Sequence, residues 1–225
     1  ISTSFKPENE VFLFPIRWIP EHSVGFDNYK EVWGEQYNFG MYYLNSIKVT
    51  VISTALQILV SALGAYGFTK IKWKGRDQLF LIYLATMMIP SQAIIIANYL
   101  TIADWGIRNT YAALILPNAA AAFAVFNMRQ AFLTLPKEIH EAAEIDGCTN
   151  FKFLYTIGVP LIKPSLGALI IYVFLQSWNY YLWPLLVTDS VNMRTVQIGL
   201  GMLQGAEATD FRPVMAGAMV ILIPS

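Results

Sequence analysis

The residues best equipped for chemistry gather in one polar stretch, Leu135 to Pro164: LPKEIHEAAEIDGCTNFKFLYTIGVPLIKP. Glu138, Glu141 and Glu144 recur there at helical spacing. His140 and the single cysteine of the chain, Cys148, share the stretch. A thiol beside an imidazole is the start of a nucleophilic pair, but no third group stands in place to orient it, so catalysis is not expected. The lone cysteine also excludes a disulfide framework and a cysteine-only metal site. Nowhere does the chain carry GxxxxGK[ST], HExxH or GxSxG, so it is not expected to bind ATP, hold a metal or cleave an ester. What remains is recognition. Pro136 suits a first helical turn, and Gly147 can take the left-handed conformation that stops a helix. Thr149 is placed to cap a second helix, which should end before Pro160. The stretch reads as a helix–turn–helix presented to a partner.

The elements that must hold it are apolar. Of 225 residues 56% are hydrophobic and 13% charged, against about 25% charged in a soluble domain. Mean hydropathy is +0.47. This is an all-α membrane protein, a polytopic transmembrane helix bundle. Formal net charge is +0, which gives no footprint for nucleic acid.

Residues 1–45 are polar and aromatic, broken by Pro7, Pro15 and Pro20, with one short helix expected in FDNYKEVW from Phe26; they read as an extracytoplasmic loop region. Residues 46–225 form the transmembrane domain. A first span is expected over about Ile47 to Phe68, where Ser53, Thr54, Ser61, Ala62, Gly64, Ala65 and Gly67 favour close helix contact. KIKWKGRD then places Lys70, Lys72, Lys74 and Arg76 in a short loop, and short basic loops stay in the cytoplasm. A second span, about Leu79 to Ile102, should kink or break at Pro90. A third runs from about Thr110 to Met128 through Pro117, Asn118 and an alanine run. Alternation then puts residues 129–163 in the cytoplasm. A fourth span is expected from about Lys163 to Trp183, ending where Trp178, Tyr180, Tyr181 and Trp183 suit an interfacial belt. Asn179 among them faces either that belt or a cavity. Residues 187–212 read as a longer outer loop, and a last span begins near Pro213. One further span is expected before Ile1, with the last cut off at Ser225, for about six in all. No ionisable group lies deep in a span, where a gradient-driven transporter often carries one. Energy is therefore expected from elsewhere.

Glu141-Ala142-Ala143, then Gly147, Ile157 and Pro160, stand at the spacing EAA-x3-G-x9-I-x-L-P, with Val159 in place of the leucine. In this the chain resembles the permease subunits of binding-protein-dependent ABC importers. NMRQAFLTLPKEIHEAAEIDG, the prolines of GVPLIKPS, SWNYYLWPL and MAGAM extend the likeness to the carbohydrate-uptake family and, within it, to the second permease of maltose-type importers.

The resemblance implies a type I importer fold and a coupling helix docked in a cleft of an ATPase subunit. Glu141, Ala142, Ala143, Asp146, Gly147 and Pro160 would serve that contact, with Phe151 or Phe153 as an apolar plug. It implies a second permease subunit as heterodimer partner, two ATPase subunits that use ATP and Mg, and an extracytoplasmic solute-binding protein; this chain itself would bind no cofactor. Position maps a binding-protein contact to Gln204, Gly205 and Glu207. Asn98, Asn118 and Asn179 are candidates for the translocation path. The solute would be a sugar, an oligosaccharide or a glycerol-phosphate-like polyol. The competing reading is a secondary transporter or channel subunit that needs no ATPase.

Overall fold

In the computed structural model, the described residues are all of 1–225 except Ile16, Arg17, Glu35, 207–210 and Ser225, without side chains for 204–206. The helices, in chain order, are α1 (Glu8–Val11), α2 (Asp27–Val32), α3 (Phe39–Thr69), α4 (Arg76–Ala85), α5 (Ser91–Asp104), α6 (Tyr111–Ile115) and α7 (Ala122–Leu133). They continue as α8 (Lys137–Ile145), α9 (Asn150–Phe153), α10 (Val159–Leu161), α11 (Lys163–Trp178), α12 (Leu182–Val187), α13 (Val196–Ala206) and α14 (Arg212–Leu222). No strand occurs among the described residues.

α3 has 31 residues, so at 1.5 Å per residue it is about 46 Å long, more than a hydrocarbon core needs. It starts well before the span expected from Ile47, because Phe39 and Tyr42 are buried and extend its packed face. The other apolar stretches are bent pairs rather than straight spans. The pair Arg76–Met88 and Ser91–Asp104 turns by 99°, Tyr111–Asn118 and Ala122–Leu133 by 50°, and Asn150–Leu161 and Lys163–Trp178 by 87°. Among the described residues, then, α3 alone is long and apolar enough to cross a membrane, or up to 4 spans if each pair counts as one. The first break comes from Pro90, which cannot continue a helix from the turn before it and instead caps α5.

Packing divides the chain into two units. One comprises Ile1–Val49, Arg108–Tyr111 and Trp178–Ser225. It is knitted by side-chain amides. Asn45 donates Nδ2 to the carbonyls of Asn192 (2.7 Å) and Arg194 (3.1 Å) and accepts from the Tyr111 hydroxyl (2.7 Å). Asn109, at φ +57°, accepts on Oδ1 from the backbone of Asp189 and Ser190. Two of the four rings expected at an interfacial belt are buried instead: Trp178 and Trp183 are 1% and 2% exposed, and the Trp178 indole donates to the Ile221 carbonyl (3.1 Å), while Tyr181 is exposed. A tryptophan whose indole N–H finds a partner can be buried whole. The outer loop expected over 187–212 contains α13, whose Gly199 lies against Tyr42.

The second unit, Thr50–Ile107 with Ala112–Ser177, holds an apolar core that runs from Ala62, Ala65 and Tyr66 on α3 through Val125, Met128 and Phe132 on α7 to Phe153 and Leu169. A Cβ at Gly64 would stand 3.6 Å from Val125, the close approach that small residues permit.

Candidate functional site

α8 carries Glu141-Ala142-Ala143 and ends by a glycine motif in which every hydrogen bond is present. Gly147 sits at φ +71°. Its N–H reaches the Glu144 carbonyl (3.0 Å), and the Cys148 N–H reaches the Ala143 carbonyl (2.8 Å). The two bonds satisfy carbonyls that a helix end leaves open, and Cys148 and Ala143 turn together onto the core. The lone cysteine is thus the apolar residue that closes a helix stop. Thr149 then caps α9, its Oγ1 accepting from the Lys152 N–H (3.3 Å). The chain does not stop before Pro160 as the sequence suggested. A π-turn over Leu154–Gly158 carries it into α10, and the helix ends at Ile162. Widening the turn ahead of Pro160 relieves the clash a proline ring makes with an α-helical carbonyl.

One tyrosine ties both arms of this loop to the long helix. The Tyr66 hydroxyl, on α3, lies 3.1 Å from His140 Nε2 on α8 and donates to Asn150 Oδ1 on α9 (2.9 Å). The His140 ring stands edge-on to Phe153 at 4.7 Å and its Nδ1 is 3.6 Å from Glu144. Phe153, one of the two rings expected to serve as the apolar plug, is 2% exposed and packs on Tyr66 as well. Phe151 is 65% exposed. Of the remaining expected residues, Glu141, Ala142, Asp146 and Gly147 are exposed, Ala143 is buried and Pro160 is half-buried. Sequence reasoning missed Tyr66, whose only signal is a hydroxyl near the end of an apolar run.

The basic loop after α3 lies at the same end of the unit. Lys70 and Lys72 share the wall of a cleft of about 490 Å³ with Lys137, His140, Glu141 and Glu144. Burial, with the charge of Lys137 nearby, holds the Lys70 ammonium below the usual lysine range. Arg129, just beyond the expected third span, lays its guanidinium over Phe80 at 4.2 Å and donates to the Phe68 carbonyl (3.4 Å).

Asn98 is half-buried on α5, Asn118 lies in the turn that breaks the second bent pair, and Asn179 accepts from Gln197 Nε2 (3.3 Å). Gln204 and Gly205 fall in α13 with their side chains outside the described residues, and Glu207 lies outside them altogether.

Residues 57–225 match the family of binding-protein-dependent transport system inner membrane components. The lactose transport system permease protein LacG of Rhizobium radiobacter is 33% identical over 200 residues, 89% of this chain and 73% of that one. The sn-glycerol-3-phosphate transport system permease protein UgpE of Pectobacterium atrosepticum is 35% identical over 222 residues, 96% of this chain and 79% of that one. A crystal structure of a bacterial ABC transporter involved in the import of the acidic polysaccharide alginate superposes with a TM-score of 0.83 at 23% identity, covering 98% of this chain and 82% of that chain, which establishes the fold. With the glutamate–alanine–alanine helix, its glycine stop and the apolar bent pairs all inside the matched residues, the chain belongs to the family of binding-protein-dependent transport system inner membrane components.

Proposed function

We propose that the chain is the permease subunit of an ATP-driven carbohydrate importer, and that α8 is the surface through which ATP hydrolysis on partner subunits moves it. The observation that carries this is the division of α8 into two faces. Ala143 and His140 are held inward, on the core and on Tyr66, while Glu141, Ala142 and Asp146 are exposed. A helix anchored on one side and bare on the other, with small residues for close approach, suits docking in a partner's cleft. Two ATPase subunits using ATP and Mg would grip this loop and its counterpart on a second permease. A solute-binding protein would deliver the solute from the opposite side of the membrane. The basic loop beside α8 supports a cytoplasmic position for the grip, since short Lys-rich loops are retained there. The name of the lactose permease relative supports a sugar as cargo. Motion of the loop would pass through Tyr66 into α3, giving a two-state bundle driven from one end.

The test is Gly147→Asp in the assembled transporter. The aspartate would put charge and a Cβ at a left-handed position on the exposed face. Binding-protein-stimulated ATPase activity and uptake are both expected to fall at least tenfold, with the permease pair still assembled. Full stimulation and uptake in that variant would refute the docking assignment.

A further inference from the structure

The cleft of about 490 Å³ between the basic loop and α8 is lined by Lys70 and Lys72 from the loop and by Lys137 from α8. None of these lysines makes an ion pair or a side-chain hydrogen bond among the described residues. Lys137 stands at i, i+4 to Glu141 on one helix face, yet the two do not pair. Lys137 is also the first residue of α8, where the helix dipole disfavours a cation and favours an anion. Lys70 is half-buried, and its burial together with the charge of Lys137 holds its ammonium below the usual lysine range. Ammonium groups that crowd one another, with no carboxylate closed on them, leave positive charge uncompensated. The same cleft carries Glu144, whose carboxylate is 3.6 Å from His140 Nδ1, and Glu141, which is exposed and makes no ion pair. It also carries neutral groups that are half-engaged. Thr69 Oγ1 donates to the Ala65 carbonyl (2.6 Å), which leaves its lone pairs open. Asn150 accepts on Oδ1 from the Tyr66 hydroxyl (2.9 Å), which leaves its amide N–H groups to donate.

We infer that this cleft binds a polyol phosphate, a phosphate ester with free hydroxyls, whose phosphate lies among Lys70, Lys72 and Lys137. A phosphate monoester carries about −1.5 to −2 charge at neutral pH, enough to offset a pair of ammonium groups. A bare phosphate would also meet the carboxylates of Glu141 and Glu144, which repel it. Hydroxyls do the opposite, since they donate to carboxylates and to the open lone pairs of Thr69, and accept from Asn150. The lining therefore suits a ligand with both ends, and an uncharged sugar would leave the lysines as they are. The volume is that of small-ligand clefts, about 300–1,000 Å³. On the side of the membrane where a short basic loop is retained, such a ligand has two sources. One is a soluble sugar phosphate, and the other is the glycerol-phosphate headgroup of an anionic lipid. The binding stands apart from the importer reading, whereas its consequence rests on that reading. A ligand that ties the loop after α3 to α8 restrains the helix on which the ATPase subunits would pull. It also competes with them for Glu141, so occupancy lowers stimulated ATP hydrolysis.

The experiment uses the complete transporter in phosphatidylcholine nanodiscs, with glucose 6-phosphate as the probe and isothermal calorimetry as the binding readout. Saturable binding is expected at millimolar probe, with glucose and inorganic phosphate each at least tenfold weaker. Lys70→Gln combined with Lys72→Gln is expected to weaken the probe at least tenfold. Without the probe, that variant should keep its ATPase stimulation by the binding protein within twofold of wild type. Lys70→Arg combined with Lys72→Arg keeps the charge and is expected to bind within threefold of wild type, which guards against misfolding. The probe is expected to halve stimulated ATPase activity in wild type and to leave the glutamine variant unaffected. A second arm adds phosphatidylglycerol to the nanodiscs. Displacement of the probe there identifies the lipid headgroup as the source, and undiminished binding identifies the soluble ester; either result supports the site. No saturable binding to the assembled transporter would overturn it, because partner subunits would then fill the cleft. Binding that survives in the glutamine variant would do the same by placing the probe elsewhere. Inorganic phosphate bound as tightly as the probe would overturn the polyol assignment. Binding without any effect on ATPase activity would overturn the restraint on α8. A wild type that the binding protein never stimulates would count against the importer reading and leave lysine-dependent binding standing.

Discussion

At the residue scale, the glutamate–alanine–alanine loop depends on two positions with separable costs. Gly147 is at φ +71° with nothing within 4 Å of a built Cβ, so a side chain there meets no neighbour and only the backbone pays. Gly147→Ala is expected to cost about 1 kcal/mol, the penalty of a left-handed L-residue, and Gly147→Asn less, because asparagine tolerates that region. Thermal denaturation of the purified transporter would order the three. Tyr66 is different, since its hydroxyl serves two partners at once. Tyr66→Phe keeps the ring contacts with Phe132 and Phe153 and removes only the oxygen. A loss of about 1 kcal/mol is expected, with a larger relative loss of coupling between ATPase activity and uptake. A third residue effect lies outside the spans. The Glu10 carboxyl is held below the usual carboxylate range, chiefly by the hydrogen bond with His22 Nδ1 (2.8 Å) and also by the Glu21 N–H, against an opposing effect of burial. A depressed carboxyl contributes stability above its unfolded pKa and loses it as pH falls through the folded one. Residues 7–24 are therefore expected to show lower protection factors, after correction for the intrinsic pH dependence of amide exchange, below about pH 4.5 than at neutral pH, and Glu10→Gln should abolish that difference.

At the element scale, glycines mark where helices touch. A Cβ on Gly199 of α13 would stand 2.5 Å from the Tyr42 ring of α3. Gly199→Ala is expected to destabilise by about 1–3 kcal/mol, as overpacking does. Gly167 on α11 has nothing within 4 Å, so Gly167→Ala should be neutral or stabilising through helix propensity, by up to about 1 kcal/mol. Melting temperatures of the two variants, compared in one detergent, should move in opposite directions. The bent pairs follow the same logic from the other side. Prolines at 90 and 117 remove donors where the chain must turn, and the π-turn before Pro160 lets a third proline pass without ending its helix.

At the scale of the whole molecule, α3 is the one unbroken long apolar helix among the described residues, and the other candidate spans are jointed. Jointed helices are the parts that can rearrange when a partner pulls, whereas α3 is a continuous rod from Phe39 to Thr69 with Tyr66 near its end. Proteoliposomes with the permease pair but without ATPase subunits are therefore expected to show no sugar uptake under an imposed proton or sodium gradient. Uptake driven by either gradient would return the chain to the secondary-transporter reading.

The sequence by itself determined the membrane class, the position of the basic loop, the break at Pro90, and the glycine stop and threonine cap of the loop. Each is a local matter of composition, proline chemistry or backbone conformation, which neighbours in the chain suffice to decide. The helix in FDNYKEVW was legible for the same reason, and α2 spans Asp27–Val32. Only the tertiary structure decided which of two phenylalanines is exposed, that Trp178 and Trp183 belong to a core, and that Asn45 and Asn109 bind backbone. It alone brought Tyr66 to His140 across 74 positions and set Phe123 of α7 against Tyr172 of α11. Those outcomes depend on which faces meet, and a helix in an apolar chain carries little periodic signal to say which of its faces will be covered.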